Sequence, residues 1–107
     1  MKHNLPKLDF AYDALEPYID QKTMEIHHTK HHQGYINKYV GALEGTKLLD
    51  KDVEDVLKNI EEVEASKRQF VINNGGGYFN HRLFWKVLSP QKQEVPKQLF
   101  ELIEQSF

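Results

Sequence analysis

Apolar residues at Ile36, Tyr39, Val40 and Leu43 recur at three- and four-residue spacing, so they line one face of a helix. Upstream, Asp20 is a good N-cap, and Ile19 before it can pack on Met24 as a hydrophobic staple. The pattern predicts a helix from Asp20 to about Leu43, stopped near Gly45. Asp52 can cap a short helix in which Val53, Val56, Leu57 and Ile60 share a face while Glu54, Asp55 and Lys58 stay wet. The acids Glu61, Glu62 and Glu64 read as solvated surface.

From Ala65 to Leu88 the pattern is interrupted by "NNGGG" at 73–77. Three glycines inside a helix cost roughly 3 kcal/mol relative to alanine, so propensity predicts a break there and a restart at about Tyr78. Pro90 ends that stretch. Pro96 fits the first turn of a last helix with Leu99, Phe100 and Ile103 on one face, extended by Phe107. Residues 1–19, with Pro6, Pro17 and scattered Phe10, Tyr12 and Tyr18, read as an extended arm laid over a core. The expected fold is all-α.

At 107 residues, with 39% hydrophobic and 28% charged side chains, the chain has the composition of one soluble globular domain. A net charge of -2 and the lack of a dense basic tract argue against nucleic acid as a partner. The start "MKHNLPKLDF" lacks a signal-like apolar stretch, and no run approaches the ~20 apolar residues of a membrane helix. No membrane association is expected, and a cytoplasmic address follows by default. With no cysteine, any bound metal must be held by histidine nitrogen and carboxylate oxygen.

The stretch "EIHHTKHHQGY" places four of the six histidines within six positions. On a helix His27 and His31 point the same way, as do His28 and His32, which makes two chelating pairs geometrically available. A zinc-protease signature fails, because no glutamate directly follows the first histidine of either pair. Tyr35 lies one turn beyond His31, and a phenol beside an imidazole suits proton delivery. Any one of these histidines alone reads as a satisfied surface or core residue. His81, in "GGGYFNHRLFW", reads alone as a core histidine among aromatics. His27 and His81 can also come together from the two helices of an antiparallel hairpin. Two ligands do not make a stable redox-metal site, which takes three or more protein groups.

Three stretches resemble the iron and manganese superoxide dismutases. "LPKLDFAYDALEPYID" is similar to that family's N-terminal arm, "MEIHHTKHHQGYINKY" to its first long helix, and "NNGGGYFNHRLFWKVLSP" to its second. The resemblance runs from about Leu5 to Phe107. It implies a long antiparallel α-hairpin over residues 1–90, a linker and the first helix of a second domain over 91–107, and a missing C-terminal α/β domain. It overrides the predicted break at 73–77, since the family's second helix continues through the glycines.

The resemblance also implies roles. His27 and His81 match metal ligands, one from each helix, whereas His28 and His32 match positions that bind no metal. His31 and Tyr35 match the pair that guards the substrate funnel and relays protons, and His31 reaches toward the family's partner subunit. The i, i+4 chelates are therefore disfavoured. The implied cofactor is manganese, with iron possible: iron-type members commonly carry glutamine where Gly77 stands. Tyr78 departs from the histidine common after the glycine triplet.

The family's other ligands lie in an Asp-x-Trp-x-His segment that is absent, since no aspartate follows Asp55 and no histidine follows His81. The expected activity is conversion of superoxide to oxygen and hydrogen peroxide by a complete protein of this kind, a homodimer or tetramer. Lys22, Lys30 and Lys38 can attract the anion. The 107 residues by themselves are expected to be inactive and to self-associate through uncovered apolar surface. The rival reading is a non-catalytic, truncated helical-hairpin module with weak or no metal binding. A third has two chains building a four-histidine site.

Overall fold

The computed structural model describes residues 2–107, and among them all regular structure is helical. The first arm of the hairpin is one rod in three parts: α1 (Gln21–Ile26), a π-helical turn (His27–His32) and α2 (Gln33–Leu43). Asp20 caps it by accepting a hydrogen bond from the Thr23 amide at 3.2 Å. Gly45 adopts φ +80°, the left-handed conformation that leads the chain away from the helix end.

The wide turn is the part that periodicity did not predict. Thr29 Oγ1 donates to the Glu25 carbonyl at 2.7 Å, taking up the acceptor that the Thr29 amide would use in an unbroken α-helix. The inserted turn carries all four clustered histidines.

Short helix α3 (Val53–Lys58) follows, with Asp52 accepting from the Glu54 amide as its cap. Helix α4 (Arg68–Val87) then returns antiparallel to α2 and runs without interruption through Gly75, Gly76 and Gly77. Propensity had predicted a break there, and packing overrides it. A Cβ at Gly77 would lie 2.5 Å from Cγ and 2.6 Å from Cε1 of Tyr35, so the phenol ring occupies the volume where a side chain would begin. A Cβ at Gly75 would press on Tyr39 Cδ2 at 3.1 Å and Leu57 Cδ2 at 3.2 Å. Two tyrosine rings of α2 thus seat directly on the backbone of α4. Their buried area offsets a propensity penalty of about 1 kcal/mol per glycine.

The core forms between the two rods and α3 from Ile36, Tyr39, Leu43, Val53, Val56, Val63, Val71 and Tyr78. The arm is laid across it by polar bonds at several points. His28 Nε2 donates to the Pro6 carbonyl at 2.7 Å, and the Tyr12 hydroxyl donates to His28 Nδ1 at 2.9 Å. His3 Nε2 donates to the Leu49 carbonyl at 2.9 Å, while its Nδ1 accepts from the Tyr78 hydroxyl at 3.0 Å. Tyr78 is therefore an arm anchor.

Helix α5 (Lys97–Ser106) starts one residue after Pro96, and every residue from 91 to 107 is exposed. No helix among the described residues is long and apolar enough to cross a membrane.

Candidate metal centre

His27, in the first part of the π-helical turn, and His81, in the middle of α4, face one another across the hairpin with ring centroids 4.7 Å apart and planes at 88°. His81 Nδ1 donates to the Gly77 carbonyl at 2.7 Å. A carbonyl only accepts, so the proton sits on Nδ1 and the Nε2 lone pair is left for a ligand. A metal-binding imidazole needs that arrangement: one nitrogen tied to the protein, the other free. Burial lowers the pKa of His27, and the neighbouring His81 and His31 lower it further, so its neutral, ligating form prevails at neutral pH.

Trp85, 4.8 Å from His27, and Phe84, 5.5 Å from it, wall the site on one side. An open depression of about 250 Å³ between His27, Asn80, His81 and Phe84 gives access from solvent. The Tyr35 ring lies 5.2 Å from His81, seated over Gly77. His31 is exposed, 6.0 Å from the His27 ring, and borders a second depression of about 340 Å³ with Thr23 and Ile26. The structure thus gathers His27, His81 and Tyr35 around one point, and His31 joins them from the solvent side.

The two other histidines of the cluster are committed elsewhere. Both ring nitrogens of His28 are spent on the arm, so His28 and His32 do not form a chelate. His32 is fully buried, and its Nδ1 accepts from Trp85 Nε1 at 2.9 Å. Burial, then the nearby His81, His28 and His27, push its pKa down to about 4. The Tyr78 backbone opposes this, although among the described residues Nε2 makes no hydrogen bond of ordinary geometry. Among the described residues no group of three or more His, Cys, Asp or Glu side chains is placed to hold a metal ion. The chemistry present is two adjoining imidazoles, fewer than the three or more protein groups a stable metal site takes.

Residues 2–89 match the family model described as iron/manganese superoxide dismutases, alpha-hairpin domain. This chain belongs to the iron/manganese superoxide dismutase family. It is 52% identical over 94 residues to proteins named Mn/Fe superoxide dismutase 2 from Staphylococcus aureus strains Mu50 and COL, covering 88% of this chain and 47% of each relative. The chain therefore spans about half the length of the curated relatives it matches. As a member of this family it carries the α-hairpin domain, and the two imidazoles face each other across that hairpin.

Sequence reasoning missed one residue and two contacts. His3 belongs to no motif, and its anchoring role depends on residues 46 and 75 positions away. The Trp85–His32 hydrogen bond joins two residues that the pattern treated separately. Gly77 was visible as an anomaly, but the ring that demands it was not.

Proposed function

We propose that this chain supplies one half of the metal centre of a superoxide dismutase, with His27 and His81 as two of the ligands to manganese, iron being the alternative. The observation that carries the reading is the convergence of the two rings at 4.7 Å, with His81 oriented by the Gly77 carbonyl. Two neutral imidazoles fit a divalent or trivalent first-row ion, and the remaining donors must come from residues outside this set. Gly77 supports manganese through the resemblance, since iron-type members commonly carry glutamine at that position; here a Cβ there would overlap the Tyr35 ring.

When bound, the ion supplies one-electron chemistry: one superoxide gives up an electron to become oxygen, and a second takes one up with two protons to become hydrogen peroxide. The chain's own residues do the rest. In this reading Tyr35, whose ring lies beside His81, and His31, at the solvent edge of His27, narrow the approach and deliver protons. Phe84 and Trp85 exclude water from the other side of His27. Residues 91–107 belong to this reading as the linker and first helix of a second domain, and so do a cytoplasmic address and assembly as a homodimer or tetramer.

Trp85 is the only tryptophan and lies 4.8 Å from His27, so its fluorescence reports on the site directly. Titration of the 107-residue chain with Co(II) or Mn(II) is expected to quench it with weak affinity. His27→Ala and His81→Ala are expected to weaken binding by about tenfold or more, while Lys47→Ala leaves it unchanged. No dismutation is expected from the chain alone, and activity of a complete protein should be lost on His81→Ala. Unchanged metal binding in the His27→Ala and His81→Ala variants would overturn the ligand assignment. Tight, active metal in the isolated chain would overturn the claim that the centre is incomplete.

A further inference from the structure

His32 and Trp85 meet between the two rods, with 0% and 3% of their surfaces exposed. Trp85 Nε1 donates to His32 Nδ1 at 2.9 Å. An indole N–H can only donate, so His32 Nδ1 carries no proton and the neutral ring holds its hydrogen on Nε2. The two rings touch both candidate ligands from the protein side. The His32 imidazole stacks on His81 at 5.5 Å with planes 29° apart, and the Trp85 indole meets His27 at 4.8 Å and 72°. One hydrogen bond thus joins the backing of the first-rod ligand to the backing of the second-rod ligand.

We propose that His32 is a positioning residue for the metal centre: bonded to Trp85, it forms a brace that holds the His27 and His81 rings in their edge-to-face arrangement at 4.7 Å. The inference deepens the reading above and rests on it for its consequence, though not for its geometry. A buried imidazole whose Nε2 makes no hydrogen bond of ordinary geometry among the described residues is costly. An apolar residue would fill the space without that penalty but would offer the indole no acceptor. The chain keeps the acceptor, and the acceptor is what fixes the angle of the ring that backs His27.

The test compares three variants of the 107-residue chain. His32→Leu removes the acceptor and keeps the bulk. His32→Asn restores an acceptor oxygen near the position of Nδ1. Trp85→Phe removes the donor and keeps a ring. Without metal, nitrogen-correlated NMR of the imidazoles at neutral pH is expected to show His81 solely as the Nδ1–H tautomer in the native chain and in His32→Asn. A mixture is expected in His32→Leu and Trp85→Phe.

With Co(II) as the probe, followed by its visible absorption, affinity is expected to fall by about 10- to 100-fold in His32→Leu and Trp85→Phe. His32→Asn should recover most of that loss. A native-like His81 tautomer in both His32→Leu and Trp85→Phe would overturn the brace, even if their thermal stability drops. Trp85→Phe decides the question if His32→Leu does not fold. If the native chain fails to bind Co(II) through His27 and His81, the metal reading falls, while the metal-free tautomers still decide whether the brace exists.

Discussion

Adjacent glycines in α4 do different work, and single substitutions separate them. At Gly76 a Cβ meets nothing within 4 Å, so Gly76→Ala is expected to raise stability by about 0.5–1 kcal/mol through helix propensity and a less free unfolded chain. At Gly77 the same methyl overlaps the Tyr35 ring. Gly77→Ala should therefore lower stability by about 1–3 kcal/mol despite the better propensity. Thermal melts check the sign: opposite shifts support direct seating of Tyr35 on α4, whereas equal gains would mean that the ring moves aside freely. Such a move would also carry the phenol away from His81.

Among the elements, α3 and α4 are joined by a two-pronged ion pair: Arg82 donates to the two carboxylate oxygens of Asp52 at 2.8 and 3.0 Å. Arg82 follows His81 directly, so this pair also helps set the rotation of α4 at the candidate ligand. The Arg82 hydrogen bonds are the largest cause holding the Asp52 pKa below its ordinary value, against the opposing effect of burial. A carboxylate with a depressed folded pKa contributes stability that is complete above the unfolded value near ~4 and is lost as pH falls through the folded value.

Asp52→Asn is expected to cost about 1–2 kcal/mol at pH 7, the pair being partly exposed. The difference between the variant and the native chain should shrink in urea melts taken below the folded pKa. Because Asn caps a helix about as well as Asp, a gap that persists undiminished at low pH would contradict the ion-pair assignment. The arm can be tested separately. Tyr12→Phe removes the donor to His28 Nδ1 and should speed amide exchange in residues 6–12 without changing exchange in α4.

For the whole molecule, the controlling feature is unpartnered apolar surface. Leu83 and Val87 at the end of α4, and Leu99, Phe100, Leu102 and Ile103 on α5, are between 45% and 67% exposed. Single exposed apolar residues are ordinary, but such a run along one helix favours association. The 107-residue chain is expected to sediment as a concentration-dependent oligomer, and Phe100→Glu should shift it toward monomer. A strictly monomeric native chain at high concentration would contradict this.

How far the sequence alone reaches follows from the range of the forces involved. Caps and stripes are local. Asp20, Gly45, Asp52 and the Ile36–Leu43 face were legible because each depends on residues within about one helical turn. The all-helical fold and the family were legible because the histidine cluster and the glycine triplet are distinctive in order and spacing. Propensity misjudged 73–77 because the compensation lies some 40 residues earlier, in the rings of Tyr35 and Tyr39.

Only the tertiary structure showed which neighbours each histidine of the cluster meets. Helical spacing made His27, His28, His31 and His32 look like equivalent pairs. The wide turn, the arm and α4 then give each a different neighbour: His81 for His27, Pro6 and Tyr12 for His28, solvent for His31, and Trp85 for His32. An imidazole's chemistry is set by what its two nitrogens meet, and those partners lie far away along the chain.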